Sequence, residues 1–330
     1  MTAPPAPSAS PILEIESLTT WFPIKRGLLN RTVGHVRAVD GISLSVETGE
    51  TLGLVGESGC GKTTLGRTLM RLEPFRSGVA RFQGADLLAL KGRSLRSIRR
   101  RMQIIFQDPL TSLNPRMNVL DIVTEGLAEI GRVEGSRADH ARKLLAEVGL
   151  DRDLIYRYPH ELSGGQRQRV NIARAVSFRP DFIICDEPVS ALDVSVQAQI
   201  ITLLIDLRQR HGLSYLFISH DVSVVSHIAS RIAVMYLGRL AEIGLREDII
   251  EAPRHPYTQA LIAAVPLPGG PRIADRAAGA IIGGETPSAA SPPPGCRFHT
   301  RCPHAMAICR TTPPAEKADG HHQVWCHLHG

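Results

Sequence analysis

The stretch GESGCGKT, Gly56 to Thr63, has the spacing Gly-x-x-x-x-Gly-Lys-Thr, and its chemistry is the cradling of phosphate oxygens. A phosphate chain needs many hydrogen-bond donors at short range. At Gly56, Gly59 and Gly61 the backbone can turn its N–H groups inward where a Cβ would collide. Ser58, Cys60 and Thr64 belong to the same candidate nucleotide loop. A helix starting near Lys62 adds a positive end of about half an elementary charge. Lys62 is expected on the β- and γ-phosphates, and Thr63 is expected to place its hydroxyl on Mg²⁺.

Four companions follow in order: Gln107 in IIFQDP, LSGGQ at Leu162 to Gln166, FIICDE at Phe182 to Glu187, and His220 in FISHD. Asp186 ends an apolar run, so its carboxylate should emerge at the carboxyl edge of a sheet, where such folds bind ligands. Strand alternation should point Asp186 and Glu187 apart and allow them different work. Ser163 is a fair N-cap, and with the N–H groups of Gly164 and Gly165 it forms an anion site at a helix start.

These residues require a scaffold of alternating strands and helices. IESLTTWFPI and HVRAVDGISLSVETGE alternate like antiparallel strands, whereas TLGLV, FIICD, SYLFIS and RIAVMYLG are short apolar runs suited to buried strands. MQIIFQD is a further strand candidate. The helix after the phosphate loop should carry Leu65, Leu69 and Leu72 on one side. NVLDIVTEGLAEI and RADHARKLLAEVGL have the apolar period of amphipathic helices, and another helix spans about Val194 to Gln209. The result is an α/β fold with a mainly parallel sheet.

At 330 residues the chain suits one large domain with an extension, and no internal repeat is visible. Residues 1–11, rich in proline, alanine and serine, read as a disordered tail without the features of a signal peptide. No apolar run approaches the roughly 20 residues needed to cross a bilayer, so a transport role requires separate membrane partners. The net charge is +6, and KGRSLRSIRRR at Lys91 to Arg101 reads as a solvated face leading into a buried strand rather than a nucleic-acid surface. PLPGGPRIADRAAGAIIGGETPSAASPPPG, from Pro266, reads as a linker with few fixed contacts. Six cysteines in a chain without a secretory signal belong in a reducing compartment, where disulfides are not expected.

LSGGQ ahead of an apolar strand and paired acids, in this order with the phosphate loop, resembles the ATP-binding subunit of an ABC transporter from about Leu13 to the last cysteine. The resemblance implies a P-loop NTPase with a RecA-like parallel-sheet core, an N-terminal antiparallel β subdomain and a helical signature subdomain at about 110–165. The ATPase domain would span 12–265. Asp186 would hold Mg²⁺ with Thr63 and Gln107, and Glu187 would polarise the attacking water. Gln107 would sense the γ-phosphate, and His220 would orient water and Glu187. Ser163, Gly164, Gly165 and Gln166 would cap ATP held by another subunit, with Ser190 to Asp193 (SALD) crossing that interface. Adenine would stack on Phe22, or on Trp21.

RHPYTQAL at Arg254 to Leu261, GETPSAASPPPGC and the cysteine-rich end resemble the C-terminal extension, here 266–330, of oligopeptide/dipeptide-type importer ATPases. Nickel importers and some sugar or opine importers share it. Expected partners are two permease subunits, a second ATPase, identical or not, and an extracytoplasmic binding protein, with no nucleic acid. The expected place is the cytoplasmic face of the cell membrane, peripherally bound. A soluble ABC ATPase acting on DNA or ribosomes is the rival reading. Cys296, Cys302, Cys309 and Cys326 follow C-x5-C-x6-C-x16-C, wider than the usual zinc pairs. By resemblance they would hold a 4Fe–4S cluster, with zinc or unliganded thiols as alternatives. Neighbouring histidines such as His299 and His304 could substitute as ligands.

Overall fold

In the computed structural model, residues 11–27, 30–131, 133, 135–264 and 284–329 are described. The strands are β1 (Leu13–Arg26), β2 (Arg31–Val46), β3 (Thr51–Val55), β4 (Ser77–Phe82), β5 (Ala85–Asp86) and β6 (Met102–Ile105). They continue with β7 (Phe182–Asp186), β8 (Ser214–Ser219), β9 (Arg231–Tyr236), β10 (Arg239–Leu245), β11 (Lys317–Asp319) and β12 (His322–Val324). They form a four-stranded antiparallel sheet, β2-β1-β4-β5, and an eight-stranded sheet, β11-β12-β10-β9-β3-β8-β7-β6.

The larger sheet is parallel from β6 through β7, β8 and β3 to β9, and antiparallel beyond. Its apolar strands are buried on both faces because side chains alternate. In β7, Phe182 and Ile184 join one core cluster while Ile183 and Cys185 join the other. The first cluster lies against the helix Lys62–Leu69 and the antiparallel sheet. The second lies against the helices Gly164–Val176, Val194–His211 and Val222–Ile228.

Between β6 and β7 sit the helices Val119–Glu129 and Arg137–Glu147, each with a side-chain N-cap, from Asn118 and Ser136. The basic run does form an exposed-to-half-buried helix, Gly92–Arg101, feeding β6. Leu72 departs from expectation. The helix after the phosphate loop stops at Leu69, Arg71 takes a left-handed φ of 56°, and Leu72 is exposed while Leu65 and Leu69 are buried.

The extension is not a separate appendage. β12 pairs with β10, and His322 Nε2 bonds the fully buried Glu242 at 2.6 Å. The expected linker is corrected in its second half, where Arg37 N–H donates to Ala289 O at 3.0 Å. Residues 265–283 and 1–10, the remainder of the linker and nearly all of the tail, lie outside the described residues.

Candidate active site

The phosphate loop leaves β3 and turns into the helix Lys62–Leu69. Two of its glycines are dictated by close approach. A Cβ on Gly56 would fall 2.1 Å from Met235 O, and one on Gly61 1.9 Å from Ala38 O, both at positive φ. The Lys62 ammonium is buried and donates to Gly56 O at 2.7 Å and Glu57 O at 3.1 Å. Thr63 Oγ1 donates to Asp186 Oδ1 at 2.7 Å.

Asp186, at the end of β7, is buried, and its Oδ2 has no hydrogen-bond partner among the described residues. Burial pushes its carboxyl up, against the pull of the Thr63 hydroxyl. An orphaned carboxylate oxygen beside a threonine hydroxyl at a phosphate loop is a fit for Mg²⁺, an oxygen-seeking cation that binds through one or two protein groups plus phosphates.

Glu187 follows with a left-handed φ of 48°, a conformation non-glycine residues adopt at local cost and often at functional sites. Two partners converge on its Oε2: Gln107 Nε2 donates at 3.0 Å, and His220 Nδ1 lies at 3.2 Å. Parallel strands β6, β7 and β8 deliver Gln107, Glu187 and His220 to one sheet edge from distant parts of the chain.

These side chains face a cavity of about 760 Å³. Its lining includes Phe22, Ser58, Gly59, Gly61, Lys62, Thr63, Thr64, Gln107, Glu187, Ser190 and His220. Gly56, Cys60 and Asp186 lie behind that wall: the Cys60 side chain is buried in the core, its thiol pushed up by burial, and its N–H donates to Glu57 O. Ala191 of SALD also lines the cavity, as do Val36, Ala38, Asp108 and Ala289, which were unforeseen in the sequence. Ala289 carries no motif signal, because the C-terminal segment brings it there. Trp21 is engaged elsewhere: its Nε1 donates to Asp40 at 2.9 Å, and the Arg37 and Arg76 guanidinium carbons lie 4.8 and 4.3 Å from its ring centre.

None of residues 162–166 lines the cavity. Ser163 caps the helix Gly164–Val176 reciprocally with Gln166, and Ser163 and Gly164 are exposed. A Cβ on Gly165 would meet Val196 at 2.8 Å, so this glycine also serves packing against the helix Val194–His211. Leu192 of SALD lies 3.5 Å from where a Gly164 Cβ would be, which joins the two segments on one exposed surface.

The expected metal at the four cysteines finds no support. Burial pushes the Cys296 thiol up to about 11, and its near neighbours Cys309, Cys326 and Cys302 add to the rise. Yet among the described residues no group of three or more His, Cys, Asp or Glu could hold a metal ion, so neither the 4Fe–4S expectation nor the zinc alternative is carried by the geometry. Cysteine spacing fixes separation along the chain. Where the sulfurs point is set by packing and by the Cys296 N–H bond to Cys309 O.

Phosphate loop, buried acid, a glutamate held by Gln107 and His220, and an exposed signature helix start define an ABC-type P-loop ATPase. A family model described as ABC transporter matches residues 39–190, and one described as oligopeptide/dipeptide transporter, C-terminal region, matches 241–309. An oligopeptide transport ATP-binding protein of Bacillus subtilis is 49% identical, over 96% of this chain and 97% of its own. A probable peptide ABC transporter ATP-binding protein of Sinorhizobium fredii is also 49% identical, over 96% and 90%. A dimeric post-hydrolysis structure of the ATP-binding cassette MJ0796 with ADP and Pi matches with TM-score 0.62 and 26% identity, over 71% of this chain and 98% of that one. The chain belongs to the ATP-binding subunits of oligopeptide-type ABC importers. It is an ATPase coupled to transport, acting with membrane permeases and as a dimer.

Proposed function

We infer that this subunit hydrolyses ATP to energise uptake of peptides of the dipeptide or oligopeptide class, delivered to two permeases by an extracytoplasmic binding protein. It would sit at the cytoplasmic face of the membrane, and among the described residues no helix is long and apolar enough to cross it. The substrate class rests on the likeness of the extension and on the names of the relatives. The ATPase domain would end near 265 and the extension would fill the remainder.

The roles follow from the chemistry of phosphoryl transfer, which needs positioning and charge neutralisation. Lys62 and the loop N–H groups would hold the phosphates. Thr63 and Asp186, with Gln107 nearby, would hold Mg²⁺, which when bound neutralises phosphate oxygens. Glu187, oriented by Gln107 and His220, would accept the proton of the attacking water, and Phe22 would stack on adenine. The observation carrying this reading is the split site: a cavity lined by the phosphate loop, Gln107, Glu187 and His220, with Ser163 and Gly164 exposed and outside its lining. Ser163 to Gln166 of a second subunit would close it. Shifting a dimer from 1:99 to 99:1 closed takes about 5.5 kcal/mol of differential affinity, which ATP bridging two subunits would supply and hydrolysis withdraw. The test is ATP turnover by the full chain reconstituted with its permeases and binding protein. Peptide should stimulate turnover, and stimulation by nickel and not by peptide would replace the substrate class.

A further inference from the structure

A loop built to hold anions carries an anion of its own. Glu57 is its second residue, directly after Gly56, and a carboxylate there would repel a triphosphate and compete for the Lys62 ammonium. The C-terminal segment supplies the answer. Arg301 forms a two-pronged pair with Glu57, Nη1 to Oε2 at 2.9 Å and Nη2 to Oε1 at 3.0 Å. Thr286 Oγ1 donates to Oε2 at 2.7 Å. The Arg301 side chain is 8% exposed and that of Glu57 25%, so water screens the pair weakly. Burial raises the Glu57 carboxyl, but the Arg301 and Thr286 hydrogen bonds outweigh it and hold it below the usual carboxylate range.

The loop is gripped from the same side at further points. Glu57 N–H donates to the Tyr257 hydroxyl at 2.9 Å, and Arg301 Nη1 reaches the Tyr236 hydroxyl at 3.3 Å. Arg297, buried beside Cys296, bonds Asp40 and Leu237 O, and the adjoining Gly238 N–H donates to Cys60 O within the loop. Ala289 lines the nucleotide cavity itself.

We propose that Arg301, assisted by Thr286, is a positioning residue for ATP binding: it neutralises and anchors Glu57, so the C-terminal extension is a working part of the nucleotide site. This rests on the ATPase reading above. Arg301 is not part of the cavity lining. Its bidentate fork occupies both oxygens of the Glu57 carboxylate and holds the start of the loop in place. The effect belongs to ATP affinity rather than to the chemical step, since Glu187, Gln107 and His220 lie outside this network.

The test measures KM for Mg-ATP and kcat on the full chain for wild type, Arg301→Gln, Arg301→Lys and the double variant Arg301→Gln/Glu57→Gln. Arg301→Gln should raise KM about tenfold, the scale of one unpaired charge near an anionic ligand, with kcat changed far less. Removing the unpaired carboxylate in the double variant should restore most of the affinity. Arg301→Lys should fall between, and salt should narrow the gap as the screening length falls to about 3 Å at 1 M. An unchanged KM in Arg301→Gln overturns the proposal. So does a raised KM that the second substitution leaves in place, because that is the behaviour of a packing clip. If Arg301→Gln does not fold, Arg301→Lys decides: wild-type KM overturns, intermediate KM supports. Wild-type protein without ATP turnover would instead overturn the ATPase assignment.

Discussion

The nucleotide cavity and the cysteine-rich extension hold their conspicuous residues in different ways. In the cavity, strand ends place Gln107 and His220 on the same oxygen of Glu187, at 3.0 and 3.2 Å, while Asp186 waits behind Thr63 with one oxygen unpartnered. In the extension four thiols lie near one another without forming a metal-holding group among the described residues, and residues beside them form ion pairs with the rest of the molecule, Arg297 with Asp40 and Arg301 with Glu57. A phosphate chain and a water molecule demand fixed positions, and the side chains proposed to serve them sit at the ends of one sheet's strands. A cysteine pattern constrains only the chain, and here its neighbours are held by ion pairs, Arg297 to Asp40 in β2 and Arg301 to Glu57 in the phosphate loop.

The sharpest way to break this contrast is Glu187→Gln. Turnover should fall by about a thousandfold, the scale of a lost general base, while ATP still binds and a dimer accumulates on size exclusion. Turnover near wild type would move the base elsewhere and remove the cavity from its place in the comparison. Lys62→Ala should weaken ATP binding by about a hundredfold, as expected for the loss of charge-assisted bonds to phosphate, measured by nucleotide titration.

On the extension side, His255 lies buried at the junction with its Nδ1 accepting from Tyr257 N–H at 3.0 Å, and burial pulls its pKa down to about 3. Because the folded value is depressed below 6.5, neutral His255 supports folding above pH 6.5, and that support fades as the pH falls toward 3. Denaturant titrations should show about 2 kcal/mol less stability at pH 5 than at pH 7.5 from this group, a difference that His255→Asn reduces. An unaltered pH slope in the variant would mean that the junction titrates elsewhere. Smallest is Phe22→Ala, which should cost about tenfold in ATP affinity through lost stacking, whereas Trp21→Phe should leave it near wild type. The reverse outcome would transfer the adenine platform to Trp21.

Legibility in the sequence tracked how local each signal was. The apolar runs of β3, β7, β8 and β9 and the reciprocal cap at Ser163 and Gln166 were readable because they depend on neighbours a few residues apart. β11 and β12 were not, since each is three residues long: β12 pairs with β10 about 80 positions earlier, and β11 joins the sheet only through β12. Leu72 failed because helix length, rather than apolar spacing, decided its exposure. The linker reading failed near Thr286 and Ala289 because small residues in a proline-rich stretch give no periodic sign of the partners they find.

The sequence by itself pointed to the chemistry: an ordered set of donors, acids and a signature turn suited to phosphoryl transfer from ATP to water, on a scaffold whose strand ends must carry them. Only the tertiary structure decided which carboxylate oxygen lacks a partner, that Phe22 rather than Trp21 faces the cavity, that the thiols form no metal-holding group among the described residues, and that Arg301 meets Glu57 across 244 residues. Short-range identity and spacing are written in the chain, but a contact at that separation exists only after the sheet has closed and the last strand has docked on it.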